Sequence, residues 1–305
     1  MNKKNTFLWV ICLLLTIAII FVVFLGESKR KSTVSDSSKT KKSEQATNST
    51  KEPSTPVKND DGNKTNNAPV EPKNRFDGLK LTNADNGIPV LCYHDINSNK
   101  SSDLSLDTDA FKAEMKYLKD NGYFTLTMDE FYSYIKDGKE IPEKSVVLTF
   151  DNGYSSNYSN VFPILKELNF KATIFVLNDS VNTANYLSTD QIKELSNYGL
   201  DIAVHIGDDS NISKLSLDKQ LSTLKQSKQS LEGLINKGTN YISFGYSSPS
   251  PNTKKAAEQA GFKMAFNLQN LLADKKDNLY NLDRFYVGSK TTLNDFTNIL
   301  NSKKK

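Results

Sequence analysis

Apolar positions are spaced in three different ways along this chain. Residues 7–26 (FLWVICLLLTIAIIFVVFLG) run without a single charged side chain, a stretch long enough to cross a bilayer as a helix. The run is longer than the core of a cleaved leader, and no small-residue cleavage pattern follows it. It therefore predicts an uncleaved transmembrane signal anchor with residues 1–6 in the cytoplasm, a cleaved leader being the alternative. Lys3 and Lys4 precede the run and Lys29, Arg30 and Lys31 follow it, so positive charges do not set its orientation. Residues 27–76 are mostly Ser, Thr, Lys, Asn, Asp and Pro, with no aromatic before Phe76. Such a segment cannot bury enough surface to offset the entropy of ordering, and it reads as a disordered linker.

A third pattern begins near residue 75 and defines a folded domain over 77–305. Short β-branched runs alternate with amphipathic stretches. Strands are predicted at 88–94 (IPVLCYH), 145–150 (SVVLTF), 172–177, 200–205 (LDIAVH), 241–246, 263–268 and 284–287. Helices are predicted at 107–121, with Phe111, Met115 and Leu118 on one face, and at 158–168, 188–198, 217–237, 253–260 and 292–300. Ser188 caps one of these and Gly199 ends it. Alternation of this kind over about 230 residues argues one α/β domain with a parallel sheet. Its length and strand number suit a β/α barrel, whose chemistry sits at the C-terminal ends of the strands.

Composition narrows the function. The net charge of +4 over 305 residues is modest, and the lysines concentrate near the two ends. With no zinc-finger spacing and no RNA-binding signature, nucleic acid is excluded as a partner. The two cysteines, Cys12 and Cys92, lie in an apolar run and a buried strand, so no disulfide is expected. Ile11 stands where a lipoprotein cysteine would need a small residue before it.

There are only two histidines, His94 and His205, and each ends a predicted strand. Asp151-Asn152-Gly153-Tyr154 follows SVVLTF. A carboxylate just past a buried strand is costly unless paired or used, which makes Asp151 a candidate base, yet Asp-Asn-Gly is also ordinary turn chemistry. His205 is followed by Ile206-Gly207-Asp208-Asp209, a set able to hold a metal, although a lone histidine at a strand end is more often structural. His94, Asp151 and His205 should share one mouth of the barrel.

At these residues the sequence resembles the polysaccharide deacetylase (NodB-homology, carbohydrate esterase family 4-like) family, in its poly-N-acetylglucosamine branch. PVLCYHDI resembles the opening strand and LTFDNGY the T-F-D-D-G motif. VHIGD is similar to H-[ST]-x-x-H and YISFGYSSPSPN to a segment reading roughly F-A-Y-P-x-G-x-x-N. GFKMAFNL and DNLYNLDRFYV resemble the closing strands. The likeness spans roughly residues 89–300. It implies an irregular (β/α) barrel and a hydrolase of C–N bonds other than peptide bonds, removing N-acetyl groups from sugars with a divalent, zinc-type metal. By position it makes Asp151 the base and Arg284 a catalytic residue that supports the active site. His205, Asp209 and Asn152 take the metal-ligand positions, where relatives carry two histidines and an aspartate. Ser247 and Pro249 stand where Pro and Gly are usual, and no later histidine supplies an acid. His94, Tyr154 and Tyr246 are candidate substrate contacts, and Tyr93 and Tyr158 are further candidates to stack on sugar rings. The implied partner is an envelope glycan, peptidoglycan or N-acetylglucosamine exopolysaccharide. The implied location is the cell membrane, with the C-terminal domain outside. An N-deacetylase with an altered metal site and a silent relative that binds glycan or regulates an envelope process both fit this pattern.

Overall fold

Strands whose residues are buried on both faces organise the molecule. It is a computed structural model that describes residues 74–98, 102–207 and 211–303. The expected cytoplasmic N-terminus, the expected anchor at 7–26, most of the expected linker and Asp209 lie outside the described residues. No helix among the described residues is long and apolar enough to cross a membrane. Arg75 and Phe76, at the end of the expected linker, already pack on the domain. Arg75 pairs with Glu130 at 2.5 Å, and the Phe76 ring meets Phe124 edge-on.

The strands are β1 (Leu81–Thr82), β2 (Val90–Tyr93), β3 (Asp95–Ile96), β4 (Ser105–Leu106), β5 (Phe124–Thr125), β6 (Ile141–Pro142), β7 (Ser145–Phe150), β8 (Thr173–Val176), β9 (Asp201–His205), β10 (Tyr241–Ser243), β11 (Met264–Phe266) and β12 (Phe285–Tyr286). The main sheet runs β11-β10-β9-β8-β7-β2-β12, with β5 beside the start of β7. Every pairing in it is parallel. Alternate residues of each strand face opposite ways. Val90, Val147, Phe175, Ala203, Met264 and Phe266 fall in one apolar cluster, while Leu91, Leu148, Phe150, Ile174 and Val204 pack with the helices in the other. Burial on both faces is why these segments read as continuous apolar runs. Residues 282–286 bring the two ends of the sheet together: Leu282 bridges to Phe266, and Phe285 pairs with Leu91. The result is an irregular, incompletely closed α/β barrel.

Helices α1 (Thr108–Asp120), α2 (Met128–Asp137), α3 (Phe162–Leu168), α4 (Thr189–Tyr198), α5 (Leu217–Ile235), α6 (Pro251–Gln259) and α7 (Leu293–Leu300) fill the crossovers. Side chains cap most of their N-termini: Asp107, Thr127, Ser188, Ser216, Ser250 and Thr292 each accept from a backbone N–H of the first turn. The sequence reading leaves residues 128–137 unassigned. They form α2, which buries Met128, Phe131, Tyr134 and Ile135 behind a Thr127–Glu130 capping box. The helix expected at 158–168 begins instead as a π-turn over Asn157–Val161. Pro163 has no N–H to give the Ser159 carbonyl, and the wider i→i−5 bond from Phe162 to Asn157 absorbs the missing rung.

Candidate functional site

Four parallel strands carry their last residues to one rim. His94 follows β2, Asp151 follows β7, and His205 and Ser243 end β9 and β10. Asp151 and Arg284 are both fully buried. Arg284 grips Asp151 in a bidentate fork, Nη1 to Oδ1 and Nη2 to Oδ2, each at 2.7 Å. Its other donors are also used: Nε to Asn267 O at 2.9 Å, Nη1 to Thr149 Oγ1 at 3.1 Å and Nη2 to Ser243 Oγ at 2.7 Å. A guanidinium has five N–H groups, and all five are spent here. Ser243 Oγ adds a bond to Asp151 Oδ2 at 3.1 Å.

Burial alone would push the Asp151 carboxyl up. The charge of Arg284, with His205 and His94 nearby, more than reverses this and holds it well below the usual carboxylate range. Burial would likewise lower Arg284, but Asp151 keeps it charged. The pair is therefore an ionised, closely satisfied unit at the bottom of the rim.

His205 is buried, and its Nδ1 lies 3.1 Å from the Ser243 carbonyl. A carbonyl only accepts, so in the neutral ring Nδ1 carries the hydrogen and Nε2 the lone pair, the tautomer a metal-binding histidine uses. Ser243 thus touches Asp151, Arg284 and His205 at once.

Asn152 and Gly153 are both left-handed, with φ of 73° and 71°. Asn tolerates that region and Gly occupies it freely, so these two residues are the turn, and Asp151 stays behind as the buried acid. Asn152 Nδ2 donates to Tyr154 Oη at 3.1 Å. The half-buried Tyr154 ring stacks on Tyr186 at 5.1 Å, and the two backbones meet in an antiparallel bridge. On another flank, Tyr246 lies 45% exposed over the buried His94 ring, stacked at 6.0 Å, with Tyr286 against both.

The structure thus brings Asp151, Arg284, His205 and His94 together, with Tyr154 and Tyr246 beside them. Asp209 lies outside the described residues. Tyr93 is fully buried, its ring against Phe111 and Phe150, and Tyr158 is tied to Glu194 at 2.6 Å. The sequence reading missed Ser243, Tyr186, Tyr286 and the nearness of Cys92. A signal existed for Tyr286: it lies two residues after Arg284, and a strand's side chains repeat every second residue.

The sequence profile described as polysaccharide deacetylase matches residues 138–265. YxkH of Bacillus subtilis (strain 168), named for polysaccharide deacetylation, is 34% identical over 200 residues, 66% of this chain and 71% of that protein. This chain belongs to the polysaccharide deacetylase family. The poly-β-1,6-N-acetyl-D-glucosamine N-deacetylase of Staphylococcus aureus is 26% identical over 257 residues, 72% of this chain and 88% of that one. Among solved deacetylases, PplD of Streptococcus pyogenes in complex with acetate superposes with a TM-score of 0.66 at 25% identity, over 71% of this chain and 99% of that one. BC0361 of Bacillus cereus gives 0.63 at 26%, over 71% and 69%.

Deacetylases of this family typically work with a metal, and the donors here test whether one fits. At the ligand positions the described residues offer one imidazole, His205, and one neutral amide, Asn152. Zinc takes nitrogen, thiolate or carboxylate donors in sets of three or four, and the remaining ligand position, Asp209, lies outside the described residues. Cys92, His94 and Asp151 also have ligand atoms within 4.8 Å of one another. There, however, Asp151 is engaged by Arg284 on both oxygens. Asn152 weakens the first set as a zinc site, and the Arg284 fork competes for Asp151 in the second.

Proposed function

We propose that this chain is a membrane-anchored protein of the outer cell face that holds N-acetylglucosamine polymers of the envelope, peptidoglycan or exopolysaccharide, at this rim without efficient turnover. Asn152 carries the reading. It puts a neutral amide, already donating to Tyr154, where hydrolysis assisted by a metal would need an anionic donor. The tyrosines around the rim suit a sugar, whose C–H faces pack on aromatic rings. The Staphylococcus aureus relative named for poly-β-1,6-N-acetyl-D-glucosamine supports the polymer class, and the apolar run at 7–26 supports the anchor.

A second reading is N-deacetylation of the same polymers. The bidentate Asp151–Arg284 pair beside His205 favours it. Under it Asp151 takes a proton from the attacking water and Arg284 holds the carboxylate in place. Acetate release decides between the two. The full-length protein is incubated with poly-β-1,6-N-acetylglucosamine, chitin oligomers and peptidoglycan, in turn with zinc, cobalt and manganese. Retention on the polymer with no acetate released is the expected result. Release of acetate that Asp151→Asn abolishes would replace the first reading with the second.

A further inference from the structure

We infer that the foot of the domain, at the N-terminal ends of the strands, rests on anionic lipid headgroups through Lys119 and Lys144, so that the Asp151–His205 rim faces away from the membrane. The inference rests on the membrane-anchor part of the reading above and adds which face of the domain meets the lipid.

A groove of about 450 Å³ opens at this foot. Leu79, Tyr123, Phe124, Leu168 and Phe170 give it an apolar and aromatic floor, and Leu79 leaves 43% of its surface to solvent. Arg75, Lys80, Lys119 and Lys144 line it too, against one carboxylate, Glu143. Ion pairs take up two of these cations: Arg75 binds Glu130 at 2.5 Å and Lys80 binds Glu143 at 2.8 Å. Asp120, beside Lys119 in the chain, is matched by Lys116 at 2.5 Å. Lys119 and Lys144 are exposed and enter no ion pair among the described residues. The Lys144 ammonium donates to the Asn121 carbonyl at 3.0 Å, which places it beside the end of α1 without cancelling its charge. The groove thus keeps these two positive charges over an apolar floor. Such a surface matches the lipid interface, where phosphates lie just above the first carbons of the acyl chains.

The path of the chain singles out lipid among anionic partners. Arg75, which lines the groove, stands where the segment leading from the apolar run at 7–26 joins the domain, so polypeptide coming from the membrane reaches the foot first. Strand geometry sets the orientation. Phe124 pairs with Ser145 at the start of β7, whereas Asp151 follows Phe150 at its end. At about 3.3 Å per residue, β7 puts roughly 20 Å between foot and rim. A domain seated on its foot therefore turns the rim towards polymer in the wall and keeps it clear of headgroups.

The test uses the full-length chain reconstituted in vesicles. Trp9 is its only tryptophan, so Trp9→Phe with Leu79→Trp leaves one fluorophore, at the lip of the groove. Lipid spin-labelled on the headgroup should quench it in vesicles of about 30% phosphatidylglycerol and not in pure phosphatidylcholine. About 0.5 M NaCl should abolish the quenching. Lys119→Gln with Lys144→Gln should lower the ratio of docked to free domain by about 25-fold, about fivefold for each lysine. A rim probe, Tyr246→Trp in the Trp9→Phe chain, should stay unquenched. Melting temperatures identify any variant that has failed to fold, and Lys80→Trp, at a side chain 81% exposed, replaces Leu79→Trp in that event. A chain that floats with vesicles overturns the inference, and leaves the anchor standing, if its groove probe is unquenched or is quenched equally by neutral lipid. Quenching that survives both lysine changes, or quenching of the rim probe, does the same. Soluble polyglycerol phosphate that strips the quenching at matched ionic strength identifies a wall polyanion as the partner and likewise overturns it. A chain that does not float with vesicles overturns the anchor reading and this inference together.

Discussion

Glu114 lies in the middle of α1 and is 1% exposed, and its Oε2 accepts from the Tyr93 hydroxyl at 2.8 Å. Burial pushes its carboxyl from the ordinary 4.5 up to about 8, and the bond from Tyr93 recovers only part of that. Folded protein therefore holds a proton at neutral pH that the unfolded chain has released. A group raised in this way leaves stability intact below 4.5 and removes it as pH climbs through 8. Holding one proton against a tenfold fall in its concentration is worth about 1.4 kcal/mol, so the interval from 4.5 to about 8 sets an upper bound of about 5 kcal/mol on the loss. Glu114→Gln matches the protonated acid in shape, keeps an acceptor for Tyr93 and cannot titrate. Urea unfolding of both proteins at pH 5, 6, 7 and 8 isolates this one group, because every other titration is shared. Asp201, pushed to about 6 by its own burial, drops out of the difference for that reason. The Gln variant should gain on wild type by about 1 kcal/mol per pH unit across this range. Parallel stability profiles for the two proteins would refute the assignment of a protonated Glu114.

Arg284→Met should cost about 3–5 kcal/mol, because it strands a buried carboxylate, and chemical denaturation of the variant measures it. The native pair holds Asp151 far below its ordinary 3.8, whereas stranded Asp151 would be pushed up by burial, so the loss should shrink from pH 8 to pH 5 as the carboxyl takes a proton. Joining Asp151→Leu to that change should recover most of the stability, since neither charge then remains. Treatment with EDTA should leave the melting temperature and polymer retention unchanged; a drop in either would show a metal bound after all. Gly288→Ala should cost about 1–3 kcal/mol by overpacking, because its Cβ would overlap the Tyr286 hydroxyl; thermal melting measures the loss.

Where a residue's role follows from its local neighbours, the sequence announced it. The apolar runs 145–150 and 200–205, the cap at Ser188 and the apolar face of α1 all depend on spacing within a few positions. The α2 helix carried the same kind of signal in Thr127, Glu130 and the i, i+3 spacing of Met128, Phe131 and Tyr134, and it went unread. Asp151 was legible only as two alternatives, acid or turn. The structure separates them by one residue: Asp151 is buried on Arg284, and Asn152 makes the turn. Ser243 could not be read at all. Its importance comes from meeting groups 92, 41 and 38 positions away, and a serine ending a short strand gives no local sign of that. Tyr186 is similar, since its partner Tyr154 reaches it only through a bridge between two loops.

The segment that joins the two ends of the sheet also delivers Arg284. A nascent chain that has emerged only as far as β11 possesses the acid but not its counter-ion, and the gap in its wall is open at the same moment. Shutting the wall and neutralising the acid are thus one event, and a product cut short before residue 284 would be left with a charge it cannot bury.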